Sequence, residues 1–150
     1  MMTWQRSAFA DLSVDDLYCV LQKRQEVFIL EQTCFYQDFD GLDQGAHHLL
    51  GWHLVNGKRE LGAYLRVLAP GAKYAEMSIG RVLTARAARG SGAGRALLTE
   101  GLAYADALHP GQRMRIGAQR YLEAFYAGFG FVTCSEPYDE DGIIHVDMLR

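Results

Sequence analysis

The stretch ARGSGAGRALLTE, residues 88–100, constrains the chain more than any other. Gly90, Gly92 and Gly94 alternate with Ser91 and Ala93 between Arg89 and Arg95, and an apolar helical pattern follows. Glycines at this density let the backbone turn tightly, and the first turn of a helix leaves N–H groups without partners. With the helix dipole behind them, those N–H groups make an anion site. Alone, such a turn is also a plain strand-to-helix connection, so the surrounding pattern must decide.

Two nucleotide loops do not fit. A Walker-type loop ends in Gly-Lys-Ser/Thr, and here Gly94 is followed by Arg95 and Ala96, with no lysine and no hydroxyl for magnesium. A dinucleotide fingerprint needs a third glycine where Arg95 stands and an early βαβ unit, whereas this loop comes late, after a hairpin.

The order of elements supports one mixed α+β domain over residues 1–150. TWQRSAF reads as a first strand, and Ser13 with Asp16 three residues on reads as a helix cap. Leu17, Val20, Leu21, Arg24 and Phe28 recur at helical spacing, which sends the apolar four toward the core. Residues 32–46 break that period and predict an irregular or partly helical loop. HHLLGWHLV and ELGAYLRVL flank NGKR, a strong hairpin signal, with Leu61, Ala63, Leu65 and Val67 on one face. AEMSIGRVLT predicts a long third strand that includes Glu76. The glycine loop opens a helix to about Ala107, RMRIGA is a short strand, and YLEAFYAGFGF is a helix stopped at Gly130. FVTCS and GIIHVDML are two last strands around an acidic turn.

Charge and cysteine content narrow the function. With 15 Lys+Arg against 18 Asp+Glu, the net charge of −3 argues against a nucleic-acid partner. Cys19, Cys34 and Cys134 lack both disulfide-framework and zinc spacing, so a reduced, cytoplasmic protein is expected. No stretch approaches the ~20 apolar residues of a membrane span, and no membrane association is expected. His47 and His48 would point to opposite faces of a strand, so they make no metal pair, and no metal is expected.

Arg89-x-x-Gly92-x-Gly94, directly after a strand and opening a helix, resembles the signature of the GNAT superfamily of acyl-CoA transferases. AFYAGFGF is similar to that family's second motif. RQEVFILEQTCFYQDFDGLD, GRVLTARAARG, GAQRYLEAFY and EDGIIH resemble its ElaA-like branch, so the likeness covers nearly the whole chain. It implies a single-domain, mostly antiparallel mixed sheet flanked by helices, with a V-shaped splay between the central strands.

The same resemblance implies transfer of an acetyl group from acetyl-CoA, as cosubstrate, to a primary amine on a small molecule or peptide. Backbone N–H groups of Gly90, Ser91, Gly92, Ala93 and Gly94 would hold the pyrophosphate, with Arg89 and Arg95 adding charge. Val82, Leu83 and Thr84 would pair with pantetheine, and Gln119 and Tyr126 complete the cofactor set. Tyr126 is the candidate general acid for the leaving thiolate, which a phenol near pKa 10 could protonate. Candidate bases are Glu76, placed as in histone-type relatives, and His145, with Asp147 on the same strand face to orient it. Glu31 and His48 are further candidates. The acceptor pocket is expected from Glu31, Gln32, Tyr36, Asp38, Asp40 and His48, whose carboxylates suit a cationic amine.

Blander readings stand beside these. Tyr126 is also readable as a packed aromatic, and Glu31, Asp38, Asp40 and Asp43 as a solvated loop; a calcium loop is suggested by their composition but lacks the EF-hand spacing and terminal glutamate. A CoA-binding module without turnover and a plain interaction scaffold are the alternative functions, and a homodimer is compatible with either.

Overall fold

The computed structural model describes residues 1–150. Strand β1 (Thr3–Ala8) leads through a single 3-10 turn to helix α1 (Val14–Arg24), which widens into a π-helical segment over Gln25–Glu31. The Asp16 N–H donates to Ser13 Oγ at 3.0 Å, so the cap read from the sequence is made. Strands β2 (His47–Val55) and β3 (Lys58–Leu68) form the expected hairpin, closed by Asn56 and Gly57 with φ of 51° and 78°. Two consecutive left-handed residues match the right-handed twist of the flanking strands. Strand β4 (Ser78–Thr84) completes an antiparallel sheet in the order β1-β2-β3-β4.

Helix α2 (Ala93–Leu108) crosses to β5 (Arg115–Gln119), and a short helix α3 (Glu123–Ala127) follows. Strands β6 (Val132–Thr133), β7 (Tyr138–Glu140) and β8 (Ile143–Leu149) build a second antiparallel sheet in which β8 pairs with β5, β6 and β7. The two sheets meet through a parallel bridge between Met77 and Met114. There the Arg115 N–H donates to Met77 O at 2.9 Å and the Met77 N–H to Arg113 O at 3.2 Å. Beyond this bridge β4 and β5 share no ladder, which is the splay the resemblance implies.

Three local features depart from the sequence reading. The acidic turn contains β7, joined to β8 by Asp141 and Gly142 at φ of 53° and 85°, a second two-residue hairpin turn. The third strand is shorter than its apolar run, because Ala75 and Glu76 lie in a bend and Met77 serves the bridge. Leu61 leaves the face of Ala63, Leu65 and Val67: Gly62 is an extra residue opposite the Gly51–Trp52 step, so the alternation flips there. Leu61 packs instead with Val20, Phe28, Leu50 and Tyr64.

Both faces of the first sheet are buried. Leu97, Leu98, Leu102 and Ala105 of α2 pack on Leu49, Leu65, Val67 and Ile79, together with Ile116 and Met148 of the second sheet. The helix approaches so closely at Gly101 that a Cβ there would lie 2.5 Å from Leu65 Cδ2. The opposite face carries α1, with Val20, Val27 and Phe28 inward and Leu17 and Leu21 only half-buried.

On that second face three arginines hold down residues 38–43. Arg24 of α1, 0 % exposed, donates from Nε to Asp38 Oδ2 at 3.0 Å, from Nη1 to Asp43 Oδ1 at 2.8 Å and from Nη2 to the Asp38 carbonyl at 2.9 Å. Arg66 of β3 grips both Asp40 oxygens, at 2.9 and 2.6 Å, and Asp43 at 2.9 Å. Arg81 of β4 pairs with Asp38 at 2.6 Å and Asp40 at 3.2 Å. Burial by itself would raise the Asp40 and Asp43 carboxyls. The guanidinium of Arg66 on Asp40, and those of Arg24 and Arg66 on Asp43, override it and hold both carboxyls below the usual carboxylate range.

Removing one partner of such a network leaves uncompensated buried charge, so Arg24→Ala should lower unfolding free energy by about 3–5 kcal/mol. Urea denaturation at pH 7 measures this, and a loss below about 1 kcal/mol would place the network among exposed pairs of little worth. Because the aspartates titrate lower folded than unfolded, their stabilisation is full above about pH 4 and lost as pH falls toward their folded values. Urea melts between about pH 6 and pH 3 should therefore show falling stability, and Asp40→Asn should make that acid slope shallower.

Candidate functional site

The splay encloses a cavity of about 800 Å³. Its walls come from the Gly80–Thr84 run of β4, the π-helical segment, the α2 start, Gln119 of β5, Tyr126 of α3 and His145 of β8. No other strand covers the outer edge of β4 here, so its backbone groups need other partners. A bulge sharpens this: Tyr64 pairs with Leu83 but Arg66 with Gly80, which places an extra β4 residue at Arg81–Val82, and Arg81 has φ of 51°.

The last peptide of β4 shows the direction of that edge. The Ala85 N–H donates to Gly62 O of β3 at 2.8 Å, so the Thr84 carbonyl, opposed across the same planar peptide, faces away from β3. Arg89 satisfies it, with Nε at 3.1 Å and Nη2 at 3.0 Å, while Nη2 also reaches Glu31 Oε2 at 2.7 Å. Val82, Leu83, Thr84 and Arg89 thus all border the cavity. Gln32 and Gln119 face each other across it at 3.4 Å between the amide groups.

At the glycine loop Gly90 and Gly92 adopt φ of 80° and 81°, values that L side chains rarely take. Gly92 caps α2 without any side-chain hydrogen bond, and the Ala96 N–H is the one that returns to the Gly92 carbonyl, at 3.1 Å. The N–H groups of Ala93, Gly94 and Arg95 belong to the first turn, where a helix supplies no acceptor. Gly94 lines the large cavity. Ser91, Gly92 and Ala93 line a separate space of about 290 Å³ behind the loop, and Ser91 Oγ donates to the Ala88 carbonyl. The Arg95 guanidinium lies over the Phe129 ring, 5.6 Å from its centroid.

Tyr126 is 6 % exposed, edge-on to Phe125 and Phe131, and borders the cavity with its hydroxyl bonded to no protein atom. Burial pushes the phenol up to about 12, well above the value near 10 assumed from the sequence. It is packed among aromatics, as one of the sequence readings had it, and it also borders the cavity.

The proposed bases separate. Glu76 lies in the bend before β4 and is not among the cavity walls, because the strand begins three residues later than the run AEMSIGRVLT suggested. His145 does line the cavity, but Asp147 does not orient it. Its Nδ1 lies 2.8 Å from the Ile143 carbonyl, and its Nε2 is 3.3 Å from Glu140 Oε2. Asp147 is taken by Arg115 at 2.7 Å and by the Tyr138 hydroxyl at 2.6 Å. The carbonyl can only accept, so Nδ1 carries a proton.

The acidic acceptor pocket also changes. Asp38 is buried and Asp40 is gripped by Arg66 and Arg81, so neither presents a free carboxylate to a cation. His48 is a core residue, 1 % exposed: Nε2 donates to the Asp43 carbonyl at 2.9 Å and Nδ1 accepts from the Tyr64 hydroxyl at 2.8 Å. Burial lowers its basicity and keeps it neutral. Tyr36 borders the cavity while donating to Asp38 at 3.0 Å. Glu31 and Gln32 remain at the cavity, the former paired with Arg89.

The arginines were the residues missed. Arg24 stands on the apolar stripe of its helix and Arg66 inside the apolar run GAYLRVL. A charge in either place requires a buried counterion, and the aspartates of residues 38–43 were the available ones.

Residues 26–150 match the family model described as an acetyltransferase (GNAT) domain. Escherichia coli ElaA is 40% identical over all of this chain and 97% of its own, and a UPF0039 protein of Synechocystis is 42% identical over 98% and 92%. The crystal structure of Escherichia coli ElaA superposes with a TM-score of 0.91, over 100% of this chain and 99% of that one. An acyl-CoA N-acyltransferase from Pseudomonas aeruginosa, 41% identical with the same coverage, superposes with a TM-score of 0.92.

Proposed function

Because this chain belongs to the GNAT acetyltransferase family, whose chemistry is acyl transfer from acyl-CoA, we propose that it acetylates a primary amine with acetyl-CoA, by direct attack in a ternary complex. The observation that carries this reading is the cavity through the splay, which is bordered by the open β4 edge, by Arg89 and Gly94 at the two ends of the glycine loop, and by Tyr126. An extended, amide-containing chain fits the unpaired edge of β4 at Val82–Thr84. A pyrophosphate fits the first-turn N–H groups of α2, where each charge-assisted hydrogen bond contributes about 1.5–3 kcal/mol.

In the reaction the neutral amine nitrogen bonds to the acetyl carbon, the carbon–sulfur bond breaks, and the sulfur leaves as thiolate, which becomes the thiol by taking up the proton that the nitrogen gives up in becoming an amide. His145 is the cavity-lining group proposed to take the ammonium proton before attack. Tyr126 stays protonated across the physiological range, so its hydroxyl is always available as a donor to the leaving sulfur. Its raised pKa favours stabilising the thiolate by hydrogen bond over complete proton transfer.

Gly92→Glu should abolish acetyl-CoA binding in calorimetry with the fold retained by circular dichroism, since a side chain at φ of 81° strains the turn that presents the first-turn N–H groups and adds a negative charge next to the anion they would hold. A folded variant that binds like the parent would refute the loop assignment. Tyr126→Phe should lower kcat by about 10²–10⁴-fold with acetyl-CoA affinity nearly unchanged. Release of free CoA thiol across a panel of primary amines is the readout, and unchanged turnover would leave Tyr126 a packing residue only.

A further inference from the structure

Glu31, Asp38 and Asp40 were expected to hold the amine, and the structure sets Glu31 apart from the two aspartates and from their neighbour Asp43. Asp38, Asp40 and Asp43 are locked by Arg24, Arg66 and Arg81. Glu31 stands outside this network at the end of the π-helical segment, borders the cavity, and has Arg89 as its one cationic partner. Arg89 in turn belongs to the glycine loop. Its Nη2 is shared between Glu31 at 2.7 Å and the Thr84 carbonyl at 3.0 Å, and its Nε is on that same carbonyl.

That carbonyl points into the splay, where an amide N–H of an extended ligand on β4 would donate. Arg89 therefore stands in the place of such a donor. It also lies one residue before the loop whose free N–H groups make an anion site. A ligand carrying both an amide chain and a pyrophosphate competes with Arg89 for Thr84 O and offers the guanidinium a doubly charged partner in its place.

We propose that Arg89 is a shuttle between the two substrates: acetyl-CoA draws it off Thr84 O and Glu31, and the freed Glu31 carboxylate then holds the ammonium group of the acceptor. This rests on the cofactor reading above and adds a residue-level coupling to it. Before the cofactor binds, Glu31 is neutralised and the acceptor side carries no free carboxylate from residues 31–43. After it binds, Glu31 becomes the single uncompensated charge in that segment. Cofactor occupancy is thereby read at the acceptor site through one side chain, a coupling of binding free energies.

A double-mutant cycle on CoA affinity tests this without knowledge of the acceptor. Calorimetry with CoA is run on the parent, Glu31→Gln, Arg89→Ala and the double variant. Both side chains are partly exposed, so all four proteins should fold, as circular dichroism would confirm. If Arg89 must leave Glu31 to reach the cofactor, Glu31→Gln removes its competitor and tightens CoA binding about two- to fivefold, the range an exposed ion pair is worth. Arg89→Ala weakens binding, and Glu31→Gln has no further effect in that background. CoA bound by all four with Glu31→Gln unchanged or weakened overturns the shuttle while leaving the cofactor site intact. A parent that binds no CoA overturns the cofactor reading and the shuttle together.

Discussion

The structure depends on a single hydrogen-bonded bridge between two sheets. β4 and β5 touch at Met77 and Met114 and then part. A strand edge inside a fold has to satisfy its N–H and C=O groups, and a continuous sheet would do so by pairing β4 with β5. Separation leaves that edge unpaired along Val82–Thr84, and a ligand with amides of its own can complete it. The cavity, the β4 bulge and the outward Thr84 carbonyl all follow from that parting.

Holding two sheets apart without exposing the core calls for supports on both faces. On one face α2 sits against both sheets, with Leu97, Leu98 and Leu102 packed on residues of β3, β4, β5 and β8. On the other, α1 and the 38–43 strap are fastened by arginines from α1, β3 and β4. This arrangement uses charge where a larger protein would use another apolar layer. The cost is desolvation of three guanidinium groups, offset only because each finds aspartate partners at hydrogen-bond distance. The network holds Asp40 of the strap at the cavity wall, and it removes Asp38, Asp40 and Asp43 from the pool of groups that could meet an amine.

The groups proposed to act consequently sit around the splay, each on a different element: Arg89 after β4, Glu31 on the π-helical segment, Tyr126 on α3, His145 on β8. The π-helical segment has a definite consequence here. The extra residue per turn shifts the face presented by Val27, Phe28 and Glu31, so that Phe28 packs in the core while Glu31 reaches Arg89. His145 depends on β7, the short strand hidden in an acidic turn, because Glu140 beside its Nε2 belongs to that strand.

The sequence by itself determined the parts governed by local rules. The Asn56-Gly57 hairpin, the Ser13 cap, the stripe of α2 and the glycine-opened helix each depend on residues within a few positions of one another, and the structure contains all of them. The motifs around Arg89–Gly94 and Phe125–Tyr126 carried the family, and with it the splay. What only tertiary structure decided was pairing across long separations. Asp147 faces the same way as His145 along its strand, yet Arg115, 32 residues away, and Tyr138 claim it. Asp38 and Asp40 read as open charge because Arg66 and Arg81 lie 26 and 41 residues off in the two ion pairs that close on Asp40. Leu61 changed faces through one bulged glycine. A charged or polar side chain takes whichever partner the fold brings within about 3 Å, and periodicity along the chain carries no information about that distance.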